Sequence, residues 1–142
     1  MDAFDADVLI YAAAVDHPLG RRVRALFPVE PLTSTGSVAG IGSVLLIPEL
    51  LSKPMRDGDS GELDVLAALL SRLDLRPTDE ATAGLAAALG ASYGLPAADA
   101  VHLATAVGAG ADRFLTNNRK DFPTSIVEVD IVYASNLDDP SA

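Results

Sequence analysis

Short apolar blocks alternate with polar breaks along the whole chain, and the period of the apolar residues switches repeatedly between helical and extended. Residues 3–6 form a short apolar opening. Residues 8–15 then read as a helix starting after an aspartate, and 19–27 as a second helix carrying Arg21, Arg22 and Arg24. The stretch 28–42, rich in Pro, Thr, Ser and Gly, predicts a loop. Residues 43–47 are apolar with β-branched members and predict a strand, and Pro48 suits the first turn of a helix after it. Residues 57–61 make a turn, with Ser60 and Asp64 near the start of the next helix, where Leu63, Leu66, Leu70 and Leu73 recur at helical spacing beside Val65 and Leu69. A short strand is expected at 75–77. A helix then runs from Asp79 through Tyr93, with Leu85, Ala88 and Leu89 inward and Gly94 as its stop. Another helix is expected over 96–107, ended by Gly108 and Gly110, followed by a buried strand at 113–116 (RFLT) and a last one at 126–133 (IVEVDIVY). This alternation predicts an α/β fold with a mainly parallel sheet covered on both faces. The expected organisation is one domain over 1–135 and a frayed C-terminal tail over 136–142.

Composition supports that picture. The chain has 142 residues, 49% of them hydrophobic, which excludes an acidic disordered chain. At this length folding buries roughly 70% of the unfolded surface, enough for one real core. Cysteine is absent, which removes a disulfide framework, Cys-ligated zinc, an iron–sulfur cluster and a thiol nucleophile, and fits a reducing, cytoplasmic setting. The first residues lack the basic segment of a signal peptide, and no apolar run approaches the ~18 residues of a membrane span. Charge complicates matters. Twenty acidic residues face ten basic ones, for a net charge of −10. A nucleic-acid binder normally carries a basic excess, so contact with nucleic acid here needs a local reversal by a cation or a small basic patch. A basic protein partner is another use for so acidic a surface.

Ligands of open parallel sheets sit beyond the carboxyl ends of the strands. Four places in the chain put polar residues there: Asp5 and Asp7 after the first strand, Glu49 after 43–47, Asp99 in the first turn of the helix from Pro96, and Thr116, Asn117, Asn118 and Asp121 after RFLT. Carboxylates aimed at one crevice repel one another unless a cation neutralises them, and hard oxygen donors select Mg²⁺ or Mn²⁺ over zinc. Each residue also has a plainer reading, since Asp5 and Asp7 suit helix caps and Glu49 and Asp99 suit helix dipoles. Ser43 reads as a strand residue near the site, with no His–Asp partnership to make it a nucleophile. His102, three residues after Asp99, suits core packing or support of the site, with substrate contact as the other option, and His17 reads as loop.

The segments FDADVLIYA, SVLLIPELL, AADAVHLATA and RFLTNNRKDF, in that order across almost the whole chain, resemble a PIN domain, and in particular the VapC-type ribonuclease toxins of toxin–antitoxin pairs. The resemblance implies a three-layer α/β/α sandwich around a parallel sheet. It maps the family's carboxylates onto Asp5, Glu49 and Asp99, and implies Mg²⁺- or Mn²⁺-dependent cleavage of RNA, an antitoxin partner and a homodimer. Asp5 and Asp99 would ligate the ion. Glu49 would ligate it or orient a water as base. Asp7 and Ser43 would support them, and Thr116 and Asn118 would hydrogen-bond phosphate or water. The fullest acidic form of the fourth motif reads Thr-x-Asp. Here Asn118 stands at that position, so either Asp121 supplies the charge or a second metal position is weakened. Lys53, Arg56, Arg119 and Lys120 flank the motifs as candidate contacts to the RNA backbone, with solvated surface charge as the plainer reading.

Two other functions fit the residues. One is a phosphatase-like hydrolase with Asp5 as nucleophile and Asp7 as acid, for which the chain offers only Lys53 and Lys120 as the required lysine. The other is a catalytically silent domain that keeps the fold and binds a partner through its acidic surface, favoured by Asn118.

Overall fold

The computed structural model describes residues 1–27 and 38–140. Its five strands are β1 (Asp2–Phe4), β2 (Gly40–Ser43), β3 (Leu73–Arg76), β4 (Arg113–Thr116) and β5 (Asp130–Tyr133), all parallel, in the order β3-β2-β1-β4-β5. Six helices connect them: α1 (Ala6–Ala13), α2 (Pro18–Arg24), α3 (Leu46–Asp57), α4 (Ser60–Leu70), α5 (Glu80–Tyr93) and α6 (Ala97–Gly108). Side chains on a strand alternate between faces, and here the two faces feed two cores. Ala3, Ile41, Phe114 and Ile131 stand in register on one face and pack with Leu89, Leu103 and Ala104 of α5 and α6. Phe4 and Leu115 point the other way, into Val8, Leu9, Leu46, Leu50, Leu66 and Leu70 of α1, α3 and α4. The result is a three-layer α/β/α sandwich. Among the described residues no helix is long and apolar enough to cross a membrane.

The strands follow the chain outward from β1 to β2 and β3 and then jump back to β4 and β5, so the direction of progression reverses between β1 and β4. That reversal opens a crevice at the carboxyl ends of these two strands. At the opposite end the same pair is fastened by Arg113, which donates to both carboxylate oxygens of its register partner Asp2 at 2.8 and 2.9 Å.

Several predicted boundaries move. The second strand is Gly40–Ser43, inside the stretch read as loop, and Leu46 and Ile47 belong to α3. The cause is crowding. A Cβ on Gly40 would sit 2.3 Å from the Asp2 carbonyl oxygen, and one on Gly42 would sit 2.5 Å from Leu46 Cδ1. Glycine therefore marks a buried strand approached by its neighbours, not a turn. The remainder of the predicted loop, 28–37, lies outside the described residues. Leu73 opens β3 and is not part of the leucine helix, and that strand ends at Arg76. In α5 the buried residues are Ala86 and Leu89, whereas Ala88 faces solvent. The last strand starts at Asp130, because Ile126 and Val129 are buried across a turn closed by Ile126 N–H to the Pro123 carbonyl while Val127 is 83% exposed. As far as Asp139 the tail predicted to fray is held: Leu137 is buried, Arg22 donates to the Ser135 and Leu137 carbonyls, and Arg21 pairs with Asp139, while 141–142 lie outside the described residues.

Gly40→Ala should therefore cost about 1–3 kcal/mol, since the obstructing atom is backbone and cannot step aside. Gly84→Ala, in α5 with nothing near the new methyl, should gain roughly 0.5–1 kcal/mol. Urea unfolding of both variants checks the contrast, and equal costs would place the strand wrongly.

Candidate functional site

Asp5 stands where β1 passes into α1, on the crevice side. Its N–H continues the ladder to the Leu115 carbonyl at 2.9 Å, which ties the residue to β4. The carboxylate is 6% exposed, and both of its oxygens are occupied: Oδ1 accepts from Ala6 N–H at 2.8 Å and Oδ2 from the Thr116 hydroxyl at 2.8 Å. The helix cap proposed for Asp5 is thus real, and it coexists with a contact across the switch point. Burial pushes the Asp5 carboxyl above the ordinary range, opposed by His102, Thr116 and Ala6 N–H and reinforced by Glu49.

Asp7 lies in the first turn of α1, where its Oδ2 accepts from Asn117 N–H at 2.9 Å and its Oδ1 is buried without a hydrogen-bond partner. Burial and the neighbouring charge of Asp5 push it up to about 6. Asp99, in the first turn of α6, is pushed up to about 7 by burial, by a hydrogen bond shared with Asp121, and by the charges of Asp5 and Asp121. Asp121 is held below its usual value by hydrogen bonds from Asn118 and Asp99. Asp99 and Asp121 therefore share one proton, and their titration belongs to the pair. Asn118 grips Asp121 twice, donating from Nδ2 to Oδ2 at 2.9 Å and accepting Asp121 N–H at 3.2 Å, and its own N–H reaches the Thr116 hydroxyl oxygen at 3.1 Å.

Glu49 projects from the first turn of α3 and meets His102 Nε2 through Oε1. His102 is 2% exposed, and its Nδ1 has no hydrogen-bond partner. Burial opposes charge on this ring, but Glu49, Asp5 and Asp99 outweigh it and hold His102 above the ordinary histidine value. Ser43 Oγ accepts from Leu45 N–H at 3.1 Å and so supports the turn into α3.

The structure thus brings Asp5, Asp7, Thr116 and Asn117 together directly. Asp99, Asn118 and Asp121 form a second connected group, and Glu49 with His102 a third. The Glu49–His102 contact was not readable from sequence. The available signal was the three-residue step from Asp99, nearly one helical turn, which puts both on adjoining parts of α6. His17 lies in the loop before α2, as expected, and there it caps the helix by accepting Leu19 N–H and stacks on Tyr11 at 4.3 Å between ring centroids. The flanking cations are largely engaged. Lys53 and Arg56 pair with Asp57, while the exposed Arg119 lies 4.1 Å over the Tyr133 ring and donates to Ser135 Oγ. Lys120 is exposed.

The donor chemistry fits a hard divalent cation. It is rich in carboxylate oxygen, it includes one buried carboxylate oxygen without a partner, and three of its carboxyls are raised by burial and mutual repulsion that a cation would relieve. Among the described residues, however, no group of three His, Cys, Asp or Glu side chains is already arranged to hold an ion. Glu49 faces His102, and Asp99 faces Asp121.

The sequence model of the PIN domain matches residues 3–124. The chain belongs to the PIN domain family. Solved structures agree on the fold. One is a toxin–antitoxin complex from Klebsiella pneumoniae, with 22% identity and a TM-score of 0.72, covering 94% of this chain and 98% of that one. Another is VapBC2 from Rickettsia felis bound to a DNA fragment from its promoter, with 17% identity and a TM-score of 0.69, covering 93% and 97%. A search of curated proteins finds no match. In this PIN domain the acidic residues of the four motifs all lie at the carboxyl ends of β1, β2 and β4 or at the start of α6.

The raised carboxyls set a pH dependence. Asp7 and Asp99 keep protons in the folded protein where the unfolded chain, near 3.8, has lost them. The folded state thus binds more protons between about pH 4 and 7, and stability falls as pH rises through that window; His102, raised in the fold, acts in the same direction. The cation-free protein should melt a few degrees lower at about pH 8 than at about pH 5, and Asp99→Asn should flatten the slope. Thermal unfolding followed by circular dichroism measures both.

Proposed function

We propose that this PIN domain is a Mg²⁺- or Mn²⁺-dependent endoribonuclease, the toxin of a VapC-type toxin–antitoxin pair. One observation carries the reading: the buried Asp5 at the switch point repels Glu49 and Asp99, and His102 is the one basic side chain among the groups that shift Asp5. Such a concentration of negative charge is costly without a cation. Asp5 and Asp99 would hold the ion, with Asp121 or Glu49 completing the set. When bound, it supplies positive charge to phosphate oxygens and makes a nearby water more acidic.

The chain's own groups divide the remaining work. Thr116 and Ala6 N–H fix the rotation of the Asp5 carboxylate. Asn118 fixes Asp121 by two hydrogen bonds, so Asp121 brings the charge that the Thr-x-Asp pattern would place at 118, and Asn118 acts through it. Glu49, its side chain 38% exposed, stands at the rim, where it can accept a proton from an attacking water. Asp7 braces the 116–118 turn through Asn117 N–H. Lys120 remains for the RNA backbone, a weak source of affinity that leaves most of the phosphate attraction to the cation.

An antitoxin partner, a homodimer and a cytoplasmic location complete the proposal. Support for the partner comes from the two structural likenesses, each of which is to a toxin–antitoxin complex. The competing reading, a silent binding domain, is favoured by the lack of a closed set of three metal-binding side chains among the described residues.

Cleavage of RNA oligonucleotides with Mg²⁺, with Mn²⁺ and with chelator separates the two. Asp5→Asn and Asp99→Asn should each lower cleavage by at least about 100-fold, the scale of losing a group that stabilises developing charge. Wild-type protein that cleaves nothing under any of these conditions favours the silent domain. Within the nuclease reading, Asp121→Asn should lose more activity than Asn118→Asp, because the latter keeps an acid in the same turn. The reverse order would make position 118 the direct participant.

A further inference from the structure

His102 joins two layers of the fold. It projects from α6, which packs on one face of the sheet, and its Nε2 meets Glu49 from α3, which packs on the other. A carboxylate oxygen can only accept, so in this contact Nε2 carries the hydrogen. The two partners differ sharply in freedom. The His102 side chain is 1% exposed, between Val101 and Leu103 of a well-buried helix, whereas that of Glu49 is 38% exposed and free to turn outward. The charge of Asp5 pushes Glu49 outward, because the two carboxylates repel each other. Something rigid must hold Glu49 inward against that repulsion. Among the described residues the one hydrogen bond to its carboxylate comes from His102, and it uses Oε1.

We propose that His102 is a positioning residue that holds the Glu49 carboxylate inside the crevice, ready to join Asp5 and Asp99 when a divalent cation enters. The inference rests on the cation-dependent reading above and adds to it a residue acting through Glu49. The neighbouring carboxylates explain why a histidine is suited to the position: its ring is rigid, reaches across the layer boundary, and offers one directed N–H without introducing a flexible cation that Asp5 or Asp99 could capture. The contact also fixes the ring orientation, since Nδ1 faces no partner and exerts no competing pull. Partners behind a ligating carboxylate commonly govern affinity in this way.

Two measurements without RNA test the proposal. In the first, Mn²⁺ is titrated calorimetrically into the wild type, His102→Gln and His102→Phe. Glutamine keeps an N–H donor at similar reach, and phenylalanine keeps the ring and removes the donor. His102→Phe should bind Mn²⁺ at least about tenfold more weakly, and His102→Gln within about threefold of the wild type. In the second, Mg²⁺ is titrated into the wild type while imidazole resonances are followed by NMR. The chain has two histidines, so His17, which caps α2 and stacks on Tyr11, serves as an internal control. The His102 signals should move with Mg²⁺ and those of His17 should stay. A His102→Phe variant that binds Mn²⁺ like the wild type overturns the proposal, as does a His102→Gln variant as weak as the phenylalanine one. So do His102 signals that stay fixed while calorimetry records Mg²⁺ binding, and this arm decides the matter if the phenylalanine variant does not fold. Wild-type protein that takes up neither ion overturns the cation reading itself, and this inference with it.

Discussion

A carboxylate buried at the end of a central strand is the constraint around which this molecule is arranged. Asp5 sits where β1 and β4 part, with its own N–H still in the ladder and its side chain just beyond it. Burial alone makes its charge expensive, and what offsets the cost is local: the nearby His102 ring, one hydroxyl from the end of β4, one backbone N–H at the start of α1, and the favourable end of a helix dipole. These supports hold only while β1 and β4 stay paired. The Asp2–Arg113 pair at the opposite end of the same two strands and the Phe4 and Leu115 side chains beneath them therefore serve the site as much as the core.

Much of this was readable in the sequence, and the failures have a physical pattern. RFLT, the alanine-rich helix after Pro96 and the stop at Gly94 could be read because burial and local preference agree there. The acidic residues at strand ends could be read because parallel topology places them by rule. Gly40–Ser43 could not, because a strand built from GIGS looks like a turn until its neighbours are in place; the steric demand from Asp2, Phe4 and Leu46 is tertiary and leaves no periodic trace. Leu73 continued a helical spacing by coincidence and was claimed by the β2 edge instead, opposite Gly40. At the site, residue types were legible and pairings were not. Sequence gave no hint that Asn118 would spend its amide on Asp121, or that His102 would reach Glu49 from the other layer.

The basic side chains tell a parallel story. Arg24 donates to the Ala12 and Ala14 carbonyls at the end of α1, Arg22 fastens the C-terminal segment, Arg113 fastens β1 to β4, and Arg119 lies on Tyr133. Tyr133 in turn donates to the Phe122 carbonyl at 2.7 Å, so the end of β5 secures both sides of the turn that presents Asp121. Positive charge in this protein is invested in holding backbone ends, and little is left at the crevice. Five of the twenty acidic residues, Asp5, Asp7, Glu49, Asp99 and Asp121, gather around the crevice, and among the described residues His102 is the one basic side chain that meets any of them by hydrogen bond.

That concentration separates folding from function in a definite way. The two cores are built from aliphatic and aromatic side chains on both faces of the sheet, and nothing in them requires the acidic crevice to be neutralised. The fold can therefore form first and carry the crevice as a local penalty, distributed over shared protons and hydrogen-bonded pairs: Asp99 with Asp121, Glu49 with His102, Asp7 with Asn117. Each pairing lowers the cost of an unneutralised charge, and each must be loosened or extended before a third carboxylate can reach the same point. Affinity for a cation is then set less by the number of acids than by how firmly their present partners hold them, and the residues that tune it are neutral or cationic neighbours such as Asn118, Thr116 and His102.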